Sequence, residues 1–141
     1  MYLTYEEYTT MGGTLSEAAF NNIEFQAETY IDWYTFNRLQ NETELPYRVK
    51  QCMFAIIDLL LNKDAMLNQL TGASSMLNGE VPKSIASQSN DGVSISYNVL
   101  PASDLMDDTT KAIEDTINKA LQGVTNSLGR KLLYRGLYEY E

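Results

Sequence analysis

Histidine is absent from the 141 residues, and cysteine occurs once, at Cys52. Without an imidazole there is no His-based general base and no histidine to complete a nucleophilic triad. Zinc sites built on cysteine and histidine lose their ligands as well. A single cysteine excludes an intramolecular disulfide. Cys52 lies in the apolar run Val49–Leu61 and reads as a small buried hydrophobe in preference to a reactive thiol. One thiol and no disulfide fit a reducing compartment. Long apolar runs are also missing. The longest, Met53–Leu61, is interrupted by Asp58 and is too short to span a bilayer. The opening Met1-Tyr2-Leu3-Thr4-Tyr5-Glu6-Glu7 has no basic region followed by an apolar core, so no signal peptide is expected. No Walker loop, dinucleotide fingerprint or nucleophile elbow occurs.

Positive charge is scarce. Ten lysines and arginines face nineteen acids, for a net charge of −9. Arg38 is the lone cation among residues 1–47, and Arg130, Lys131 and Arg135 gather near the C-terminus. Such a chain is not expected to wrap DNA or an anionic membrane by charge attraction, because phosphate binding needs cations.

What is present is helical periodicity. Thr4-x-x-Glu7 forms a capping box and Gly12-Gly13 a stop, which predicts a short helix over about residues 4–11. Ser16 caps a second run in which Phe20, Ile23, Ala27, Tyr30, Ile31 and Tyr34 share a face, predicting a helix over about 16–39. Pro46 suits a first helical position, and Val49, Cys52, Met53, Ile56, Ile57, Leu60 and Leu61 predict a central core helix over about 46–70. Between about 84 and 98 the pattern alternates around Ser89-Asn90-Asp91-Gly92, the signature of a β-hairpin with Val93, Ile95 and Tyr97 on one face. Ser103 can cap a last helix over about 103–123, with Met106, Ile113, Ile117, Ala120, Leu121 and Val124 together. The expected architecture is a mainly α, single-domain bundle of about four helices, with one inserted hairpin and an extended C-terminal tail over about 130–141.

Candidate chemistry is thin. Glu24 with Glu28, and Glu28 with Asp32, fall at helical spacing, and paired carboxylates can hold magnesium or act as acid and base. On a helix rich in acids the commoner reading is a solvated surface. Asn90-Asp91-Gly92 lacks the later ligands of a calcium loop and reads as a turn. No metal and no cofactor are expected. Two segments instead suggest protein contacts. The tail carries Arg130, Leu132, Leu133, Tyr134, Arg135, Leu137 and Tyr138 beyond the last complete helix, and such side chains anchor interfaces or dock on the chain's own core. The hairpin, with Ile85, Asn90, Asp91, Val93, Ile95 and Tyr97, offers a strand edge to a neighbour.

In order along the chain, the segments resemble the head–tail connector (adaptor, or head-completion) proteins of tailed bacteriophages. The carrying phrases are the opening tyrosine-acid helix to Met11-Gly12-Gly13, then Phe20 through Ile31-Asp32-Trp33-Tyr34-Thr35-Phe36-Asn37-Arg38-Leu39. After these come Val49-Lys50-Gln51-Cys52 leading into an apolar helix with Asp58, the stretch Ile85–Tyr97, and Tyr134-Arg135-Gly136. The resemblance implies a ring of copies, commonly twelve, below the portal protein. The ring extends the DNA channel and docks the tail or a tail-side stopper protein, and duplex DNA passes through without specific binding. It also implies residence in the virion after synthesis in the host cytoplasm, with no membrane partner and no enzymatic activity. On this reading the tail docks onto the portal, and the hairpin contacts neighbouring copies or the tail. Two other classes fit the residues less closely. One is a helical regulatory or antitoxin-like module binding one partner protein. The other is a metal-dependent hydrolase using Glu24, Glu28 and Asp32.

Overall fold

The computed structural model describes residues 1–75, 87–90, 93–96 and 102–136. Its described part is mainly helical, as the periodicity predicts. The order is α1 (Tyr5–Thr10), α2 (Glu17–Thr35), α3 (Tyr47–Ser75), β1 (Ser87–Asn90), β2 (Val93–Ser96) and α4 (Ala102–Leu121). β1 and β2 are antiparallel, with Ser87 opposite Ser96 and Asn90 opposite Val93. The turn residues Asp91 and Gly92, and the expected outer hairpin residues Ile85 and Tyr97, lie outside the described residues.

Local chemistry sets the helix starts. The Thr4 hydroxyl accepts from the Glu7 N–H at 3.2 Å, and the Glu7 carboxylate accepts from the Thr4 N–H at 3.1 Å, which completes the capping box of α1. Ser16 caps α2 by accepting from the Ala19 N–H. The stop after α1 is a glycine pair with two separate reasons. Gly12 takes φ 102°, which side chains with a Cβ rarely adopt. At Gly13 a Cβ would run into the Tyr8 ring.

The core is shared by all the helices. α3 supplies Val49, Cys52, Met53, Ile56, Ile57 and Leu60, all buried. Against it lie Phe20, Ile23, Ala27 and Ile31 of α2 and Ile113, Ile117 and Leu121 of α4. α1, too short to be stable alone, is pinned by aromatic packing. Tyr8 meets Phe20 at 4.8 Å and Phe54 at 5.6 Å between ring centroids. Met106, expected on the inner face of α4, is instead exposed in the first turns of that helix.

Two helix ends differ from the sequence expectation. α2 stops at Thr35, not near Leu39, because Phe36 and Asn37 both turn left-handed, at φ 56° and 57°. The Asp32 carbonyl accepts from both of their N–H groups. α3 continues through Gly72 to Ser75, past the expected end near residue 70. One glycine inside a helix costs only about 1 kcal/mol against alanine.

The tail differs more. Residues 124–136 turn back along the bundle instead of extending from it. Thr125 bridges Lys131, the Leu132 N–H donates to the Val124 carbonyl at 3.0 Å, and Gly129 takes φ 74° at the bend. The buried Asn126 side chain accepts from the Leu128 and Arg130 N–H groups and holds the bend closed. This return drives Leu132 into the core, where it is fully buried.

Candidate interaction surface

The end of α2 and the returning tail make one surface. The left-handed pair Phe36-Asn37 reverses the chain, so that Arg38 and Leu39 point inward and are buried. The Arg38 guanidinium then acts as a fork. Its Nη1 donates to the carbonyls of Lys131 at 3.2 Å, Leu132 at 3.3 Å and Tyr134 at 2.5 Å. Its Nη2 donates to Gly136 O at 3.1 Å. The guanidinium also lies 5.1 Å from the centroid of the Phe36 ring, within cation–π range. Only arginine offers a rigid set of donors able to serve several carbonyls at once.

Beside this joint is an open hollow of about 790 Å³, lined by Thr29, Asp32, Trp33, Tyr34, Phe36, Asn37 and Arg135. Trp33 is 79% exposed. Burial, and then the nearby Glu114 carboxylate, push the Tyr34 phenol above its ordinary pKa, so it stays neutral and a donor. Aromatic walls with one guanidinium at the rim suit recognition of a protein surface. They assemble no nucleophile with an adjacent base.

The candidate residues of the tail separate into three groups. Leu132 is core, and its assignment to a partner-binding surface is corrected by its complete burial. Arg130 and Leu133 are half-buried, with Leu133 packed on the core. Tyr134 and Arg135 are exposed, and Leu137 and Tyr138 lie outside the described residues. Of the hairpin candidates, Asn90, Val93 and Ile95 sit in β1 and β2, while Ile85, Asp91 and Tyr97 lie outside the described residues.

The acidic row on α2 also departs from expectation. Glu24 is not solvated. It is 3% exposed, and its Oε1 accepts from the Tyr2 N–H at 2.8 Å and the Leu3 N–H at 3.4 Å. Glu28 pairs with the Met1 amine at 2.9 Å, and Asp32 accepts from the Tyr2 hydroxyl and from Gln40. The row clamps the N-terminal segment, whose Leu3 enters the core. Burial raises the Glu24 carboxyl above its ordinary value, partly offset by the two backbone donors. These three acids are thus occupied with the chain itself. No cluster of three potential metal ligands occurs among the described residues.

Sequence reasoning missed two features, the Arg38 fork and the burial of Glu24. The first had a signal: the lone cation of residues 1–47, embedded in an aromatic run. The second had none, because its partners are backbone N–H groups. Cys52 is buried as expected, and its thiol is pushed up to about 12 by burial. No described helix is long and apolar enough to cross a membrane. Comparison with protein-family models, curated proteins and solved structures found no match for this chain.

Proposed function

We propose that this chain is a structural adaptor of a bacteriophage head–tail junction, with no chemistry of its own. Copies assemble as a ring, commonly of twelve, below the portal protein. The ring extends the DNA channel and presents a docking surface to the tail-side connector or stopper. Its net charge of −9 suits a wall past which duplex DNA slides without being held. The inserted hairpin, over about 84–98, contacts neighbouring copies or the tail. The portal contact centres on Tyr134 and Arg135 and continues through Leu137 and Tyr138, with Leu132 withdrawn from it. The protein is made in the host cytoplasm and resides in the virion.

One observation carries this reading. Two of the resembling phrases, 31–39 and 134–136, are far apart in the sequence, and Arg38 of the first donates to the Tyr134 and Gly136 carbonyls of the second. Beside that joint, Trp33, Tyr34 and Phe36 of the first phrase and Arg135 of the second line one hollow.

Mass photometry of the chain alone and with a portal ring tests the proposal. The expected result is a ring-sized increment on the portal. A lasting one-to-one complex with a single partner chain points to the regulatory module instead, and absence of any portal association sinks the adaptor reading.

A further inference from the structure

The Gly136 carbonyl is held 3.1 Å from Arg38 Nη2, and Arg135 just before it lines the hollow beside that joint. The chain that follows Gly136 therefore sets out from the rim of the hollow. The next residues are Leu137-Tyr138-Glu139-Tyr140-Glu141, and an extended run of that length reaches about 17 Å. Their order alternates. In an extended chain Tyr138 and Tyr140 face one way, and Glu139 and Glu141 face the other. Such alternation is the pattern of a segment with one side covered and one side in water. The hollow offers aromatic surface to match, with Trp33 79% and Phe36 49% exposed.

We infer that residues 137–141 turn back over this hollow in the same molecule, with Tyr138 and Tyr140 against Trp33 and Phe36. The contact lies within a single chain and stands apart from the adaptor reading. Continuity selects the occupant. A segment tied to the rim meets the hollow at an effective concentration on the order of millimolar, whereas a second copy or a partner must arrive from solution. The charges are compatible with this occupant. The lining holds one acid, Asp32, and one base, Arg135. Asp32 already accepts from the Tyr2 hydroxyl and from Gln40. Two further acids stand close by, Glu28 on the Met1 amine and Glu114 beside Tyr34. Glu139 and Glu141 lie on the outer side of the run, in water and turned from all three. The contact is small, so it is a reversible cover. Closed, it shields the Trp33 and Phe36 rings, and lifted, it bares them to a partner.

Trp33 is the only tryptophan of the chain, so its fluorescence reports on the hollow directly. The test is acrylamide quenching, at several protein concentrations, of the full chain, the chain ended after Gly136, and the variant Tyr138→Ser/Tyr140→Ser. Wild type should be shielded, and both altered proteins should quench about twofold more strongly, as a tethered cover closed most of the time requires. Glu139→Gln/Glu141→Gln, which changes only the outer side, should quench within about 20% of wild type, because exposed charges contribute little. Circular dichroism should show every variant folded, because none alters a described residue. Shielding that is independent of concentration and lost in both altered proteins upholds the inference. If the truncated chain quenches no more than wild type, the inference is overturned, and the adaptor reading is still decided by the portal experiment. If wild-type shielding fades on dilution, a second copy covers Trp33 and the intramolecular contact is overturned. Loss on truncation without loss in the serine variant overturns the placement of the two tyrosines.

Discussion

Arg38 holds Leu132. The Arg38 Nη1 donates to the Leu132 carbonyl at 3.3 Å across 94 residues of chain, while the Leu132 side chain sits in the core. One arginine thereby fixes the position of the whole returning segment, because it also serves the carbonyls on either side. Arg38→Ala should cost about 2–3 kcal/mol in urea unfolding at neutral pH, the range for losing hydrogen bonds to a charged donor. Arg38→Lys should recover less than half of that, because an ammonium on a flexible stem cannot span the same acceptors. Full recovery by lysine would show that charge alone, and not the fork, fastens the tail.

The burial of Leu132 separates two truncations. Ending the chain after Gly136 removes no described core residue, and the midpoint of thermal unfolding should move by no more than about 2 °C. Ending it after Gly129 removes Leu132 and the acceptors of Arg38. It should destabilise by at least the roughly 2–5 kcal/mol of a Leu→Ala core change. Differential scanning calorimetry of both truncations reads this directly. A loss of portal binding by the shorter protein alone would therefore report unfolding, whereas a loss by the longer one would report a contact made by 137–141.

Glu24 predicts a pH dependence with an unusual sign. Its folded pKa lies above the ordinary 4.5, so the native state holds this proton more tightly than the unfolded chain. The stability it contributes is fully present below pH 4.5 and is lost as pH rises through the folded pKa. Most acids in native proteins behave oppositely, and Glu7, lowered by Lys50, is one of them. Glu24→Gln keeps an acceptor for the Tyr2 and Leu3 N–H groups and removes the buried charge beside Glu28. It should match or exceed wild type at pH 7, and that advantage should shrink toward zero as pH falls to about 4. Glu24→Ala leaves two buried donors unpaired and should lose about 1–3 kcal/mol at either pH. Chemical denaturation of the three proteins across pH 4–7 provides the measurement.

The helices were legible because their apolar spacing and their caps are local. Thr4, Ser16 and the α3 run each announce their element. The end of α2 was not legible, since Phe36 and Asn37 adopt a conformation that favours glycine, each at about 1–2 kcal/mol of strain. That strain is offset by the two hydrogen bonds to the Asp32 carbonyl and by the burial of Arg38 and Leu39, and the acceptors of Arg38 lie near the other end of the chain. The same distance concealed the surface beside Trp33. Tyr134-Arg135-Gly136 reads as a loose tail until Asn126 and Gly129 are seen to bend it back. Glu24 shows the limit of periodicity most plainly, because helical spacing locates a carboxylate on a face and says nothing of backbone donors brought to it from residues 2 and 3.

Gly13 makes the final test, because two adjacent glycines fail for different reasons. At Gly12 a Cβ meets open space, but φ is 102°, so Gly12→Ala carries backbone strain of about 1–2 kcal/mol. Gly13 has no such backbone demand. There the obstacle is the Tyr8 ring, which is 1% exposed and wedged between Phe20 and Phe54, so it has nowhere to turn. Gly13→Ala should therefore cost about 1–3 kcal/mol through overpacking. Shrinking the ring should reverse the sign of the effect. In a Tyr8→Leu background, itself destabilised, the added methyl of Gly13→Ala should cost far less than it does in wild type. The double-mutant cycle by urea unfolding should show coupling above about 1 kcal/mol between positions 8 and 13. Additive losses would mean that Gly13 is required for its backbone after all, and that α1 is not held at its C-terminal end by the Tyr8 ring.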